Sequence, residues 1–86
     1  MKYNRIEKTY NSFKREEFID YFSNIGSKTE ESFFQGDGWG VFVGEEERRQ
    51  FKTFDLTSVK LTISVREDIQ DQFIKKLMIS FLKGGG

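Results

Sequence analysis

Val59-Lys60-Leu61-Thr62-Ile63-Ser64-Val65 alternates branched apolar residues with polar ones. That period of two belongs to a strand with one dry face and one wet face. It closes the longest extended segment, Phe51 to Val65, and runs into the short link Arg66-Glu67-Asp68. Beyond the link, Ile69, Phe73, Ile74, Leu77, Met78, Phe81 and Leu82 recur at helical spacing, a broad apolar face that needs a layer to cover. Asp68 is placed to cap this helix. Leu56 to Leu82 therefore reads as a β-ribbon edge running into a helix that lies flat across it, which sets an α+β architecture.

Upstream, residues 2–10 (KYNRIEKTY) fit two patterns. Ile6, Lys8 and Tyr10 alternate on one face of a strand, while Tyr3, Ile6, Tyr10 and Phe13 also fit a helix. The strand is preferred because Asn11-Ser12 punctuates the run. A helix follows from Lys14 to Asn24, with Ser12 as expected N-cap, Glu16 and Glu17 in the first turn, and the stripe Phe18, Tyr21, Phe22, Ile25. Gly26 stands where a left-handed glycine closes a helix. Ser32 to Gln35 is a short strand, Gly36-Asp37-Gly38-Trp39-Gly40 a glycine-rich bend, and Val41 to Val43 a second extended piece. Gly44 and Glu45-Glu46-Glu47-Arg48-Arg49 read as a polar turn, a charged hairpin tip. The order is β-α-β-β-α. It describes one domain, 1–86, built as a ferredoxin-like two-layer sandwich with two helices on one face of a three-strand antiparallel sheet whose last strand is missing or very short. Gly84–Gly86 is expected to be a flexible tail.

Composition narrows the chemistry. The 86 residues hold 14 Lys+Arg against 14 Asp+Glu and no His, Cys or Pro. This leaves no zinc site of the His/Cys kind, no Ser-His-Asp or Cys-His set, and no disulfide or thiol redox chemistry. Cancelled charge removes the simplest argument for DNA or an anionic membrane as partner. No apolar run approaches the roughly 18–20 residues of a membrane span, and the start MKYNRIEKTYNS has no apolar leader core, so a cytoplasmic protein is expected. Ten Phe, three Tyr and one Trp supply the core that scarce Leu does not, each burying about 150–250 Å². Val59, Leu61, Ile63 and Phe73 are the expected centre of that core. So small a domain gains from self-association.

Three motifs invite a functional reading. Asp37-Gly38-Trp39-Gly40-Val41-Phe42-Val43 partly matches the aromatic strand of RNA-recognition modules, with Asp37 where a basic residue normally opens it; a glycine bend with a packed Trp is the plainer account. Gly36, Gly38 and Gly40 offer backbone N–H groups to a phosphate, yet no Lys-Ser/Thr and no helix start follow. The pairs Glu16/Glu17, Glu30/Glu31 and Glu67/Asp68 are neighbours that point apart, solvated charges rather than facing carboxylates. With no nucleophile–base pair, the chain is expected not to be an enzyme.

Several segments resemble the PII-like family of trimeric regulatory proteins. Phe13-Lys14-Arg15-Glu16-Glu17 is similar to that family's helix start, Ile25-Gly26 to its helix end, Gly36-Asp37-Gly38 to its Gly-aromatic-Gly element, and Val59 to Val65 to its third strand. The resemblance covers about 13–82. It implies a non-enzymatic ligand sensor acting in signal transduction, a homotrimer that docks on a protein target and binds an adenine nucleotide between subunits. The positions that line up with ligand are Gly36, Asp37, Gly38, Lys83, Gly84 and Gly85, with Trp39 beside them in the bend. The 36–50 connection is shorter than the family's target-docking loop, and its phosphate-closing arginines have no counterpart. A small protein-binding inhibitor or adaptor is the alternative, since brevity, cancelled charge and excess aromatics suit an anchor-rich interface. Single-stranded RNA binding ranks below both.

Overall fold

A computed structural model describes residues 2–82. The chain runs β1 (Tyr3–Asn11), α1 (Arg15–Ile25), β2 (Ser27–Glu30), β3 (Phe33–Gly36), β4 (Trp39–Gln50) and β5 (Asp55–Arg66), then a 3₁₀ turn (Glu67–Ile69) and α2 (Gln70–Ser80). The strands form one sheet in the order β1-β5-β4-β3-β2, and every neighbouring pair is antiparallel. The class is α+β, an antiparallel sheet with two helices, as the alternation and the amphipathic stripes require. The sheet has five strands rather than the expected three, however.

Pairing register explains the core. Val59, Leu61, Ile63 and Val65 of β5 share a face with Trp39, Val41 and Val43 of β4, Phe34 of β3, and Ile6 and Tyr10 of β1. Phe18 and Phe22 of α1 and Leu77 of α2 close over that face and form one buried cluster with the β3, β4 and β5 side chains, against which Ile6 and Tyr10 pack half-buried. Phe73 is half-buried against it rather than central. The opposite face stays wet and carries Arg5, Glu7, Lys60, Thr62 and the exposed Phe42. Glu7 there takes an ion pair from Lys60 and another from Arg5, each at 3.2 Å.

Helix ends differ from their sequence reading. Lys14 is the N-cap of α1, and its backbone N–H donates to Glu17 Oε2 at 2.7 Å, so the glutamate of the first turn does the capping. Ser12 instead turns the chain out of β1 with a left-handed φ of 71°. Gly26 is extended, with φ −153°, and not left-handed. It is glycine because a Cβ there would lie 2.6 Å from the Gln35 carbonyl oxygen and 2.6 Å from the Trp39 ring. Asp68 accepts from Arg66 Nε at 2.6 Å instead of capping α2, which is entered through the 3₁₀ turn.

The largest departure is the segment read as a polar turn. Glu45 to Arg49 belongs to β4, and after a bulge between Val43 and Glu46 this half of the strand pairs with Asp55–Val59. The result is an arm whose β4 half is exposed on both faces beyond the bulge, contributing to a molecule 48 Å long by 29 Å by 21 Å. At its tip the Phe51 N–H donates to the Phe54 carbonyl at 2.8 Å, and the two exposed rings stack with centroids 4.8 Å apart.

Candidate functional site

Asp37-Gly38 is the two-residue turn between β3 and β4. Gly38 has φ 85°, a conformation only glycine takes at little cost, and its carbonyl accepts the Arg66 N–H at 2.8 Å. Gly36 and Gly40 sit in the ladder, opposite Trp39 and Gln35, rather than in a loop whose amides converge on one point. The bend is therefore a tight hairpin, and its glycines make room for Trp39: a Cβ on Gly36 would come within 2.4 Å of the indole nitrogen. Trp39 is only 8% exposed and packs between Phe22 and Phe73, at centroid distances of 5.8 Å and 5.1 Å. A base has no open ring face to stack on there.

Beside this turn, Tyr21, Ile25, Asp37, Trp39, Ile69 and Phe73 line a cleft of about 260 Å³. Asp37 and Trp39 thus do meet at one cavity, with α1 and α2 as its walls. Asp37 is almost fully exposed and lies 3.7 Å from Arg66. The Arg66 guanidinium is held in its charged form chiefly by its hydrogen bond to Asp68, with the Asp68 and Asp37 charges adding to it. The cleft has an aromatic floor and a charged lip, fit for an apolar group with a polar end. Lys83, Gly84 and Gly85 lie outside the described residues. Among the described residues no three His, Cys, Asp or Glu side chains gather as metal ligands, and no helix is long and apolar enough to cross a membrane.

Arg15 is the positional residue that sequence reading missed. Its Nε donates to the Gly44 carbonyl at 3.1 Å, its guanidinium also reaches the Ser32 hydroxyl, and its backbone N–H donates to Glu46 Oε1 at 2.8 Å. One residue thereby ties the start of α1 to the β2–β3 turn and to the bulge at the root of the arm. A lone arginine at a helix start gives no pattern from which to read this; the partners come from three separate segments.

Fold and site define a small α+β protein whose described residues present a packed hairpin turn and a shallow cleft beside it. The family model for archaeal MoaD-like proteins matches residues 6–86, and the chain belongs to that family. Comparison with curated proteins returns no match. Family membership overturns the PII-like assignment, together with the signal-transduction and nucleotide-binding reading that came with it. The reason is physical. A glutamate-rich helix start, a glycine after a helix and an alternating strand are demanded by capping, close packing and a half-buried sheet in any α+β domain. They specify elements, not kinship.

Proposed function

We propose that the chain is a sulfur carrier of the MoaD-like kind, a carrier rather than an enzyme, and that the carboxylate of a glycine in the run Gly84–Gly86 bears the sulfur. The supporting observation is a family match that extends through Gly86 in a chain without cysteine. Its sulfur atoms are the thioethers of Met1 and Met78, which form neither thiolates nor persulfides. A carboxylate is the group left that can hold transferable sulfur, as a thiocarboxylate. Glycine suits the position, because a backbone without side chains can enter a narrow active site.

A carboxylate has a poor leaving group and needs activation by a partner enzyme. The carboxylate oxygen attacks the α-phosphorus of ATP held by that enzyme, and pyrophosphate leaves. Hydrosulfide then attacks the carbonyl of the mixed anhydride, AMP departs with the bonding electrons, and one proton is released. No electrons are gained or lost overall. Such a carrier works where ATP is available, in the cytoplasm. Intact-mass and fragmentation measurement on the protein isolated from its own cells tests the reading. The expected result is a species heavier by sulfur in place of oxygen, with the change located beyond Leu82. A wholly unmodified carboxylate, or a chain that continues past the glycines without processing, overturns it.

One observation favours the protein-binding adaptor as second reading, namely the stacked and exposed Phe51 and Phe54 at the end of the arm. Paired aromatics held out from the body suit an anchor for a partner's pocket. Loss of partner capture on Phe51→Ser with Phe54→Ser, at unchanged stability, would favour that role.

A further inference from the structure

Strand β1 is an edge of the sheet, and the direction of its free backbone groups follows from its pairing. The Glu67 N–H donates to the Lys2 carbonyl at 2.9 Å and the Ser12 N–H to the Thr57 carbonyl at 2.8 Å. These two contacts continue the β1–β5 register one position beyond its ends, where Tyr3 meets Arg66 and Asn11 meets Ser58, so even-numbered residues of β1 turn their N–H and C=O groups toward β5. Tyr3, Arg5, Glu7 and Thr9 turn theirs outward. No strand among the described residues takes up these groups, and a long open edge is a template for another strand. Above the same edge, on the helix-covered face, lies a groove of about 520 Å³ between β1 and α2. Ile6, Ile74, Met78 and Ile79 make it apolar, and Lys8, Asp71 and Lys75 stand at its sides. Met78 and Ile79 are 54% and 63% exposed, large apolar groups left in water beside unpaired backbone.

We infer that this edge joins a second copy of the chain, two β1 strands pairing antiparallel about a two-fold axis at Ile6. Charge selects the register. An axis at Arg5, Glu7 or Lys8 sets each of those charges against itself, which is unfavourable across strands. An axis at Asn4 pairs only the first few residues of the strand. An axis at Ile6 sets Arg5 opposite Glu7 of the second copy and Glu7 opposite its Arg5, on the wet face where both side chains already lie. The same register makes Arg5–Glu7 and Tyr3–Thr9 hydrogen-bonded pairs, using the residues whose backbone groups point outward. It leaves Ile6 facing Ile6 as a non-hydrogen-bonded pair, the arrangement with Cα atoms only about 4.5 Å apart, at the floor of the apolar groove. Lys8, the inward charge that would guard such an edge, falls opposite Asn4 and shares its groove with Asp71. Hydrogen-bond direction, charge and apolar surface therefore agree on one isologous interface.

Sedimentation equilibrium over a concentration series, with circular dichroism as the fold control, tests this. The wild-type chain should reach twice the monomer mass. Arg5→Glu alone and Glu7→Arg alone should each stay monomeric, because each sets like charges against one another. Mixing the two variants should restore a dimer, since every opposed pair is then of opposite sign. Glu7→Pro provides a second probe: its lost N–H points away from β5, so the monomer keeps its ladder while strand addition is blocked. A wild-type chain that remains monomeric to its solubility limit, or that forms a trimer, overturns the proposal. So do single-reversal variants that dimerise as the wild type does, a mixture that stays monomeric, or a folded Glu7→Pro dimer. None of these readouts depends on the glycine run, so sulfur carriage and dimerisation stand or fall separately.

Discussion

Tyr10→Phe should stabilise the protein. The Tyr10 ring lies on the inner face of β1 opposite Val59, with centroid distances of 5.3 Å to Phe18, 6.0 Å to Phe13 and 6.1 Å to Phe81. Its hydroxyl is buried there, and among the described residues it has no hydrogen-bond partner. A desolvated hydroxyl without a partner costs about 1–3 kcal/mol, whereas deleting one oxygen forfeits contacts worth only about 0.1–0.2 kcal/mol each. A net gain of about 1 kcal/mol follows, or roughly 4–8 °C in Tm for a domain this size. Burial also pushes the phenol pKa up, with the neighbouring Tyr21 charge adding to it, and this gives a second, signed readout. Below about pH 10, the ordinary tyrosine value, both states hold the proton and the group adds no pH dependence. Above it the unfolded chain ionises first, and stability falls until the folded-state pKa is passed. Urea titrations at neutral and alkaline pH should therefore show a wild-type alkaline decline that is shallower in Tyr10→Phe. A variant less stable than wild type at neutral pH, or one with the same alkaline slope, would refute the reasoning.

Gly26→Ala should destabilise by the roughly 1–3 kcal/mol typical of overpacking, because its Cβ would press on the Gln35 carbonyl and on Trp39 at 2.6 Å; denaturation together with a shifted Trp39 emission would show it, and a neutral outcome would place the cause of Gly26 elsewhere. Arg15→Met keeps the hydrocarbon stem but loses the bonds to Gly44 and Ser32, and bonds to a charged group contribute about 1.5–3 kcal/mol at most. Amide exchange should accelerate at Glu46–Gln50 and Asp55–Ser58 while Val41 and Ile63 stay protected. Uniform acceleration would mean that Arg15 supports the whole sheet and not the arm.

What was legible in the sequence follows from what each segment buries. Strand β5 and helix α1 show their periods because one face of each is dry, and Val59, Leu61 and Ile63 are buried as their alternation requires. Strand β2, Ser27-Lys28-Thr29-Glu30, is exposed at every position, so no pattern marks it. The distal half of β4 is invisible for the same reason: Glu46 to Gln50 has water on both faces, and a run of charges in an arm looks like a run in a turn. At the candidate site Asp37 and Trp39 both line the cleft beside the hairpin turn, a proximity that their spacing of two residues already implies. The purpose of the glycines was not legible, because Gly36 and Gly26 are separated by ten positions in sequence yet accommodate the same indole. The open β1 edge was equally hidden, since which strand lies outermost is decided by the β1–β5 pairing, from Asn11 with Ser58 to Tyr3 with Arg66, between distant parts of the sequence.

The account depends most on β5 lying between β1 and β4 with both neighbours antiparallel, since this places the core on one face and leaves the β1 edge open. Nuclear Overhauser spectroscopy of the assigned protein reads that arrangement directly. In non-hydrogen-bonded antiparallel pairs the Hα atoms face one another, so cross-peaks are expected between the Hα atoms of Glu7 and Thr62 and between those of Val41 and Ile63. A Glu7 Hα that instead meets a residue of β4, or a β1 that shows the offset pattern of a parallel neighbour, would contradict the sheet order and everything built on its edge.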